Sequence, residues 1–341
     1  LGVGDDGAVI RASVRGKGPA IDCVLSTDAF LEGVHFLPDV HSPVDIGYKA
    51  LARATSDLAA MGVSPQFFLL ALALPTNRTG AWLDGFLKGM SQAAREFGMA
   101  LIGGDTSKFH SISMTITVGG SASPDGVLTR AGARPGDLIY VSGTLGAAQL
   151  GLDLILHGVG GKAKTPRMPA GGKWTRLLRQ HLRPQIQIAL GRWLAGENPS
   201  GRKLASAVID TSDGLSTDLS HICEAGGVGA RIWAAKIPTV RVPEPIDSRG
   251  AKRNPLKLAL NGGEDYQLLF TVPKRTTSKL PRSIGGTPIT EIGVIEPRSK
   301  APRGRISRIE LVGLDGTAAP LPAEGWDPFS TRKRTQRKSA P

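Results

Sequence analysis

GYKALARATSDLAAMGVSPQFFLLALAL, residues 47–74, holds two periodicities in one stretch. In its first half Leu51, Ala54, Leu58 and Met61 recur at three- and four-residue spacing, one face of a helix predicted over residues 44–61. In its second half the pattern becomes an unbroken apolar run, residues 67–74, with the length of a buried strand. A helix handing over to a buried strand is the repeating unit of an α/β protein.

The alternation continues on both sides. A strand is predicted at residues 22–27 and a helix at 80–97. Ile112, Met114, Ile116 and Val118 alternate as in a half-buried strand. Further strands are expected at 138–141, 205–209 and 266–272, and helices at 145–156, 173–181, 186–195 and 215–225. Gly, Lys and Pro crowd residues 158–172, and Pro and charge crowd 240–254, so both read as loops. The 341 residues suffice for two domains, with the boundary expected in the first of these loops. That gives an N-terminal domain over 1–157, a C-terminal domain over 158–330 and a disordered basic tail over 331–341. The chain opens at Leu1, inside a motif and without Met, so further residues are expected upstream.

Composition removes several classes. No run of about 18 apolar residues is present, so no membrane span is expected, and no signal peptide is recognisable. Cys23 and Cys223 lie far apart and outside any CxxC pair, which fits a reducing cytoplasm and argues against structural zinc. The net charge of +13 raises nucleic acid as a partner, which makes a basic nucleic-acid-binding protein the rival of another class. The charge is concentrated between Lys162 and Arg183 and in the tail, though, and aromatic residues are only 5%, so stacking platforms are scarce and nucleic acid is not expected.

The chemistry lies in short acidic motifs where strands or loops meet turns: Asp5-Asp6, Ser26-Thr27-Asp28, Ser56-Asp57, Gly104-Asp105, Asp210-Thr211-Ser212-Asp213 and Glu264-Asp265. α/β proteins place ligands at strand ends, and Asp, Ser and Thr oxygens suit magnesium. Each motif also has a structural explanation. Ser212 or Asp213 could cap the following helix, and Asp57 could pair with Arg53 one turn earlier. Six such motifs in one chain favour a site over six separate caps. Gly2-Val3-Gly4-Asp5-Asp6-Gly7 matches GxGxxG, but an extended segment follows it where a dinucleotide site needs a helix. No P-loop or protein-kinase signature occurs.

These motifs, in their order, resemble the thiamine-monophosphate kinase family, of the superfamily that includes aminoimidazole ribonucleotide synthetase. The resemblance rests on GVGDDGAVI from Gly2, STDAFLEGVHF from Ser26, GYKALARATSDLAAMG from Gly47 and LIGGDTS from Leu101. It continues through LTRAGARPGDLIYVSGTLG from Leu128, IDTSDGLSTDLSHI from Ile209 and GGEDYQLLFTV from Gly262. The resemblance implies a two-domain α/β (α+β) fold of the aminoimidazole ribonucleotide synthetase type, dimeric through its N-terminal domain, with nucleotide in the cleft between domains. It implies several magnesium ions held by Asp6, Ser26, Thr27, Asp28, Asp57, Asp105, Asp210 and Asp213. Gly104, Asp105, Arg130 and Ser212 would meet ATP, and His35, Glu264 and Trp326 would meet thiamine monophosphate.

The implied reaction is ATP-dependent phosphorylation of thiamine monophosphate to thiamine diphosphate. Its acceptor is a phosphate monoester with a second pKa of about 6, already largely an anion at neutral pH. No general base is expected; positioning and countercharge carry the reaction. Synthetases of the aminoimidazole ribonucleotide or selenophosphate type are the rivals within the superfamily, and the STDAFLEGVHF and GGEDYQLLF segments together favour the kinase.

Overall fold

The computed structural model describes residues 4–12, 21–123, 126–157, 173–244, 253–298, 309–326 and 329. The first part of the chain runs β1 (Ala8–Ala12), β2 (Ile21–Leu31), α1 (Pro43–Ala60), β3 (Ser64–Leu74), α2 (Ala81–Phe97), β4 (Ala100–Lys108) and β5 (Ser113–Ala122). These strands form one sheet in the order β1-β2-β5-β3-β4, antiparallel except for the parallel pair β3 and β4. The second part runs β6 (Leu138–Ser142), α3 (Ala147–His157), α4 (Lys173–Leu182), α5 (Ile188–Ala195), β7 (Ala207–Asp210), α6 (Leu215–Gly226) and β8 (Gly229–Trp233). It continues with α7 (Pro255–Asn261), β9 (Leu268–Val272), β10 (Ser283–Ile284), β11 (Thr287–Glu296), β12 (Ile309–Val312) and β13 (Ala318–Pro320). Its sheet has the order β13-β12-β8-β11-β6-β9-β7, with β10 on β11.

The apolar face read from residues 47–74 is the face that packs. Leu51, Leu58 and Met61 of the α1 region meet Phe30, Phe68 and Met114 of the first sheet in one buried cluster. Ser42 caps α1, accepting the N–H of Asp45 at 3.1 Å, and Pro43 follows in the first turn. Helix α2 crosses α1 so closely that a Cβ on Gly89 would lie 1.8 Å from the Val44 carbonyl oxygen. On the second sheet, Leu215, Leu219 and Ile222 of α6 cover one face. Leu190 and Leu194 of α5 cover the other with Val208 and Phe270, and Ala60 from the end of α1 joins them. Helix α1 therefore touches both layers and can carry side chains to the seam between them.

The first sheet ends at Ala122 and the second begins at Leu138. The helices before and after residues 158–172 share one cluster of Leu150, Leu154, Leu177 and Leu178. The stretch itself lies outside the described residues, as does the expected tail 331–341. Residues 100–108 form a full strand whose every residue is exposed, at the edge of the first sheet beyond β3. Its Gly103-Gly104-Asp105 core has none of the apolar alternation by which strands are read.

Candidate active site

Strand β2 sends Ser26 and Asp28 toward a cleft of about 1100 Å³ between the two layers. Thr27 lines the same cleft, and its hydroxyl meets that of Thr117 at 2.9 Å. Asp6, Asp57, Arg130, Asp210, Ser212 and Asp213 line this cleft too, with His35, Glu264 and Trp326. Gly104 and Asp105 are absent from it. They sit on exposed β4, where the Asp105 carboxylate accepts the Ser107 hydroxyl at 2.9 Å.

At one end three carboxylates converge. One oxygen each from Asp6, Asp57 and Asp210 lies within 4.8 Å of the others. Asp6 and Asp210 are buried, at 5% and 2% exposure. Burial pushes Asp6 up to about 6 against the pull of Arg130, and burial with the Asp6 charge pushes Asp210 up to about 7. Burial and the charges of Asp28, Asp210 and Asp6 raise Asp57 well above its ordinary range. Neutral donors meet part of the demand. The Ser26 hydroxyl donates to Asp57 at 2.5 Å and the Ser56 hydroxyl to Asp210 at 2.6 Å. Arg130 reaches Asp6 Oδ1 through Nη2 at 2.5 Å, and its backbone N–H donates to the Asp5 carboxylate. Asp6 Oδ2 is buried without a hydrogen-bond partner. A hard divalent cation fits this donor set, because it would satisfy that oxygen and neutralise the three like charges together.

Beside it lies a second polar cluster, of which the acidic motifs contained only Glu264. Lys49 of α1 is buried and its ammonium donates to Glu264 Oε2 at 2.8 Å. His181 of α4 stands 3.3 Å from the same carboxylate and 3.3 Å from His41. Burial alone would raise Glu264, but Lys49 and His181 hold it down to about 2. Burial and the Lys49 charge push His181 down to about 3, so it is neutral. Glu264 and Tyr266 adopt positive φ values of 69° and 48°, unusual for side-chain-bearing residues. The loop that carries them is tied to the 210–213 turn: Glu264 N–H donates to the Ser212 carbonyl at 2.8 Å, and Tyr266 N–H to Thr211 at 3.0 Å.

Arg53 does not pair with Asp57; its Nε donates to Asp28 at 3.1 Å, across to β2. Neither Ser212 nor Asp213 caps α6. Gly214 holds the cap position with no side-chain bond, and its own N–H donates to Asp218. Asp265 is structural: its carboxylate accepts the N–H groups of Gly146 and Ala148 at the start of α3. Trp326 is 43% exposed, with its backbone N–H on the Asp213 carbonyl at 3.0 Å. A Cβ on Gly325 would approach that carbonyl to 2.1 Å, so glycine is what lets the Trp326 segment dock there. His35 accepts the Leu31 N–H at Nδ1, 3.0 Å, which leaves its proton on Nε2; burial pushes it down to about 4. Lys49, Arg53 and Asp57 recur every four residues on α1, a charged stripe on an otherwise buried helix, and that spacing was the available signal for the residues missed.

The match to known proteins follows this geometry. Residues 4–122 match the AIR synthase related protein, N-terminal domain. The thiamine-monophosphate kinase of Escherichia coli (strain K12) is 36% identical over 337 residues, covering 97% of this chain and 92% of that protein. A solved structure of AaThiL complexed with AMPPCP and TMP superposes with a TM-score of 0.76 at 31% identity, covering 96% and 92% of the two chains. The thiamine-monophosphate kinase structure from Stenotrophomonas maltophilia K279a gives 0.70 at 31% identity, covering 91% and 92%.

Proposed function

The chain belongs to the thiamine-monophosphate kinase family, and from that premise we propose that its cleft transfers the terminal phosphate of ATP directly to thiamine monophosphate, with several magnesium ions at the acidic end. The observation that carries the metal is the partnerless Oδ2 of Asp6, a carboxylate that converges with Asp57 and Asp210. Magnesium supplies countercharge where two polyanions must meet. Asp6, Asp57 and Asp210 would hold it, with Asp28 and Asp213 on the same cleft wall. Arg130 adds fixed positive charge at that end, where ATP phosphates would lie beside Ser212. His35 offers a neutral Nε2–H to the acceptor, while Trp326 offers its exposed ring to the thiazolium. No side chain need remove a proton from an acceptor that is already an anion.

Glu264 takes a different role from simple counter-ion to the thiazolium, because Lys49 already neutralises it. Gly104 and Asp105 belong with a second proposal, that the protein is a homodimer. Strand β4 is a free edge with Leu101 and Ile102 52% and 59% exposed, the kind of edge a second copy would cover. In that arrangement Asp105 would act at the interface. We place the enzyme in the cytoplasm, consistent with Cys23 and Cys223 as free thiols. No helix among the described residues is long and apolar enough to cross a membrane.

The test is direct. Protein, ATP, magnesium and thiamine monophosphate should yield thiamine diphosphate and ADP in equal amounts, and none when magnesium is chelated. Phosphorylation of free thiamine with the monophosphate ignored would sink the reading.

A further inference from the structure

The cleft has one wall that no acidic motif supplies. Helix α3 turns Gln149, Leu152, Asp153 and Leu156 toward it, at the i, i+3, i+4, i+7 spacing of a single helix face. The opposite face, with Leu150 and Leu154, is buried against α4. The start of α3 is fixed to the loop that carries Glu264. Asp265 accepts the N–H of Gly146 at 2.5 Å and of Ala148 at 3.0 Å. A Cβ on Gly262 would come within 2.8 Å of the Gln149 Cβ, so Gln149 stands directly beside that loop. Its amide N–H donates to Asp153 at 3.2 Å, and Asp153 is held in turn by an ion pair with Arg253. With the amide donor engaged, the carbonyl Oε1 of Gln149 is left as an acceptor. Leu37, a large apolar side chain 39% exposed, lines the same cleft.

Resting on the kinase reading above, we propose that this face of α3 is the specificity wall for the aminopyrimidine of thiamine monophosphate. Leu37, Leu152 and Leu156 would form an apolar slot for the flat ring, and Gln149 Oε1 would accept an N–H from its exocyclic amino group. Charge separates the two ends of the cleft. Phosphates belong with the metal ligands and Arg130, whereas an uncharged aromatic ring gains most where half-buried leucines line the cleft and one fixed acceptor gives direction. Asp265 then explains itself as the group that sets the distance between this wall and the Glu264 loop.

Two variants of the full chain test the proposal, each read by steady-state kinetics and by calorimetric binding. The probes are thiamine monophosphate and the phosphate ester of its thiazole half, which lacks the pyrimidine. Gln149→Leu should raise the KM and Kd for thiamine monophosphate by roughly 3- to 10-fold, the kinetic equivalent of one hydrogen bond. Leu156→Glu should raise them by roughly 10-fold or more, since it puts a charge in the slot. For both variants kcat, the KM for ATP and binding of the thiazole ester should stay within about twofold of wild type, and melting should remain cooperative. Unchanged KM for thiamine monophosphate in both variants would overturn the assignment, as would equal weakening toward the two acceptors. A wild-type protein inert toward thiamine monophosphate would instead remove the kinase reading, and this wall's role with it.

Discussion

The cleft holds two polar clusters that are charged in opposite senses of completeness. At Asp6, Asp57 and Asp210 three carboxylates converge, burial and mutual repulsion raise all three, and one oxygen has no partner. At Lys49, Glu264 and His181 the carboxylate has its cation at 2.8 Å and a neutral imidazole beside it, and it is held down to about 2. The first cluster has one cation of the chain, Arg130 on Asp6, for three carboxylates; the second has Lys49 for one. A buried charge is tolerable only when compensated, so the two clusters differ in how much compensation the chain itself supplies. Glu264, which the family resemblance assigns to substrate, lines the cleft and is paired with Lys49.

This contrast can be broken by mutation. Asp57→Asn should cut turnover by roughly 100-fold or more, because it removes charged countercharge for the metal. The melting temperature without metal should hold or rise, since the change relieves repulsion from Asp28, Asp210 and Asp6. A large loss of stability with full residual activity would make Asp57 a packing residue.

Lys49→Met should behave oppositely. It strands Glu264 without its cation and should cost about 3 kcal/mol of stability, the usual order for breaking a buried pair. Denaturant unfolding measures this, and the double variant with Glu264→Gln should recover most of the loss. If the double variant is no more stable than Lys49→Met alone, the cluster is not the closed pair described here.

The smallest effect is in pH, where the two clusters differ in sign. Asp6 and Asp210 bind protons more tightly folded than unfolded, so their stabilising contribution is present at low pH and is lost as pH rises through about 6 and 7. Glu264, held near 2, contributes above its ordinary range and loses that contribution only as pH falls toward 2, so it is constant across neutral pH. Between pH 5 and 8 the chelated protein should therefore lose roughly 3–6 °C of melting temperature. Magnesium should restore it, with the larger gain at pH 8. A metal-induced shift that is equal at both pH values would show that the acidic end does not bind the ion.

Much of this protein is written locally. The apolar stripe of α1, the run that becomes β3 and the alternation in β5 follow from side-chain periodicity, because each element must bury one face. The family was legible in the acidic motifs for a related reason: ligand-binding turns need particular residues at fixed spacing. Edge strand β4 was not legible, since glycines replace its alternation, nor were short β8 and β12, which pair with each other across a long sequence gap. The choice of partners was also beyond local reading. Arg53 and Asp57 sit one turn apart, the spacing for a helical ion pair, yet α1 lies in the seam between two layers where Asp28 from β2 and Asp210 from β7 reach it. Sequence determined which residue types would be available and on which face of each element. Only the docking of one sheet layer on the other decided that three carboxylates would converge while Lys49 found Glu264, because Coulomb interactions depend on distance in space, and those residues come from segments far apart along the chain.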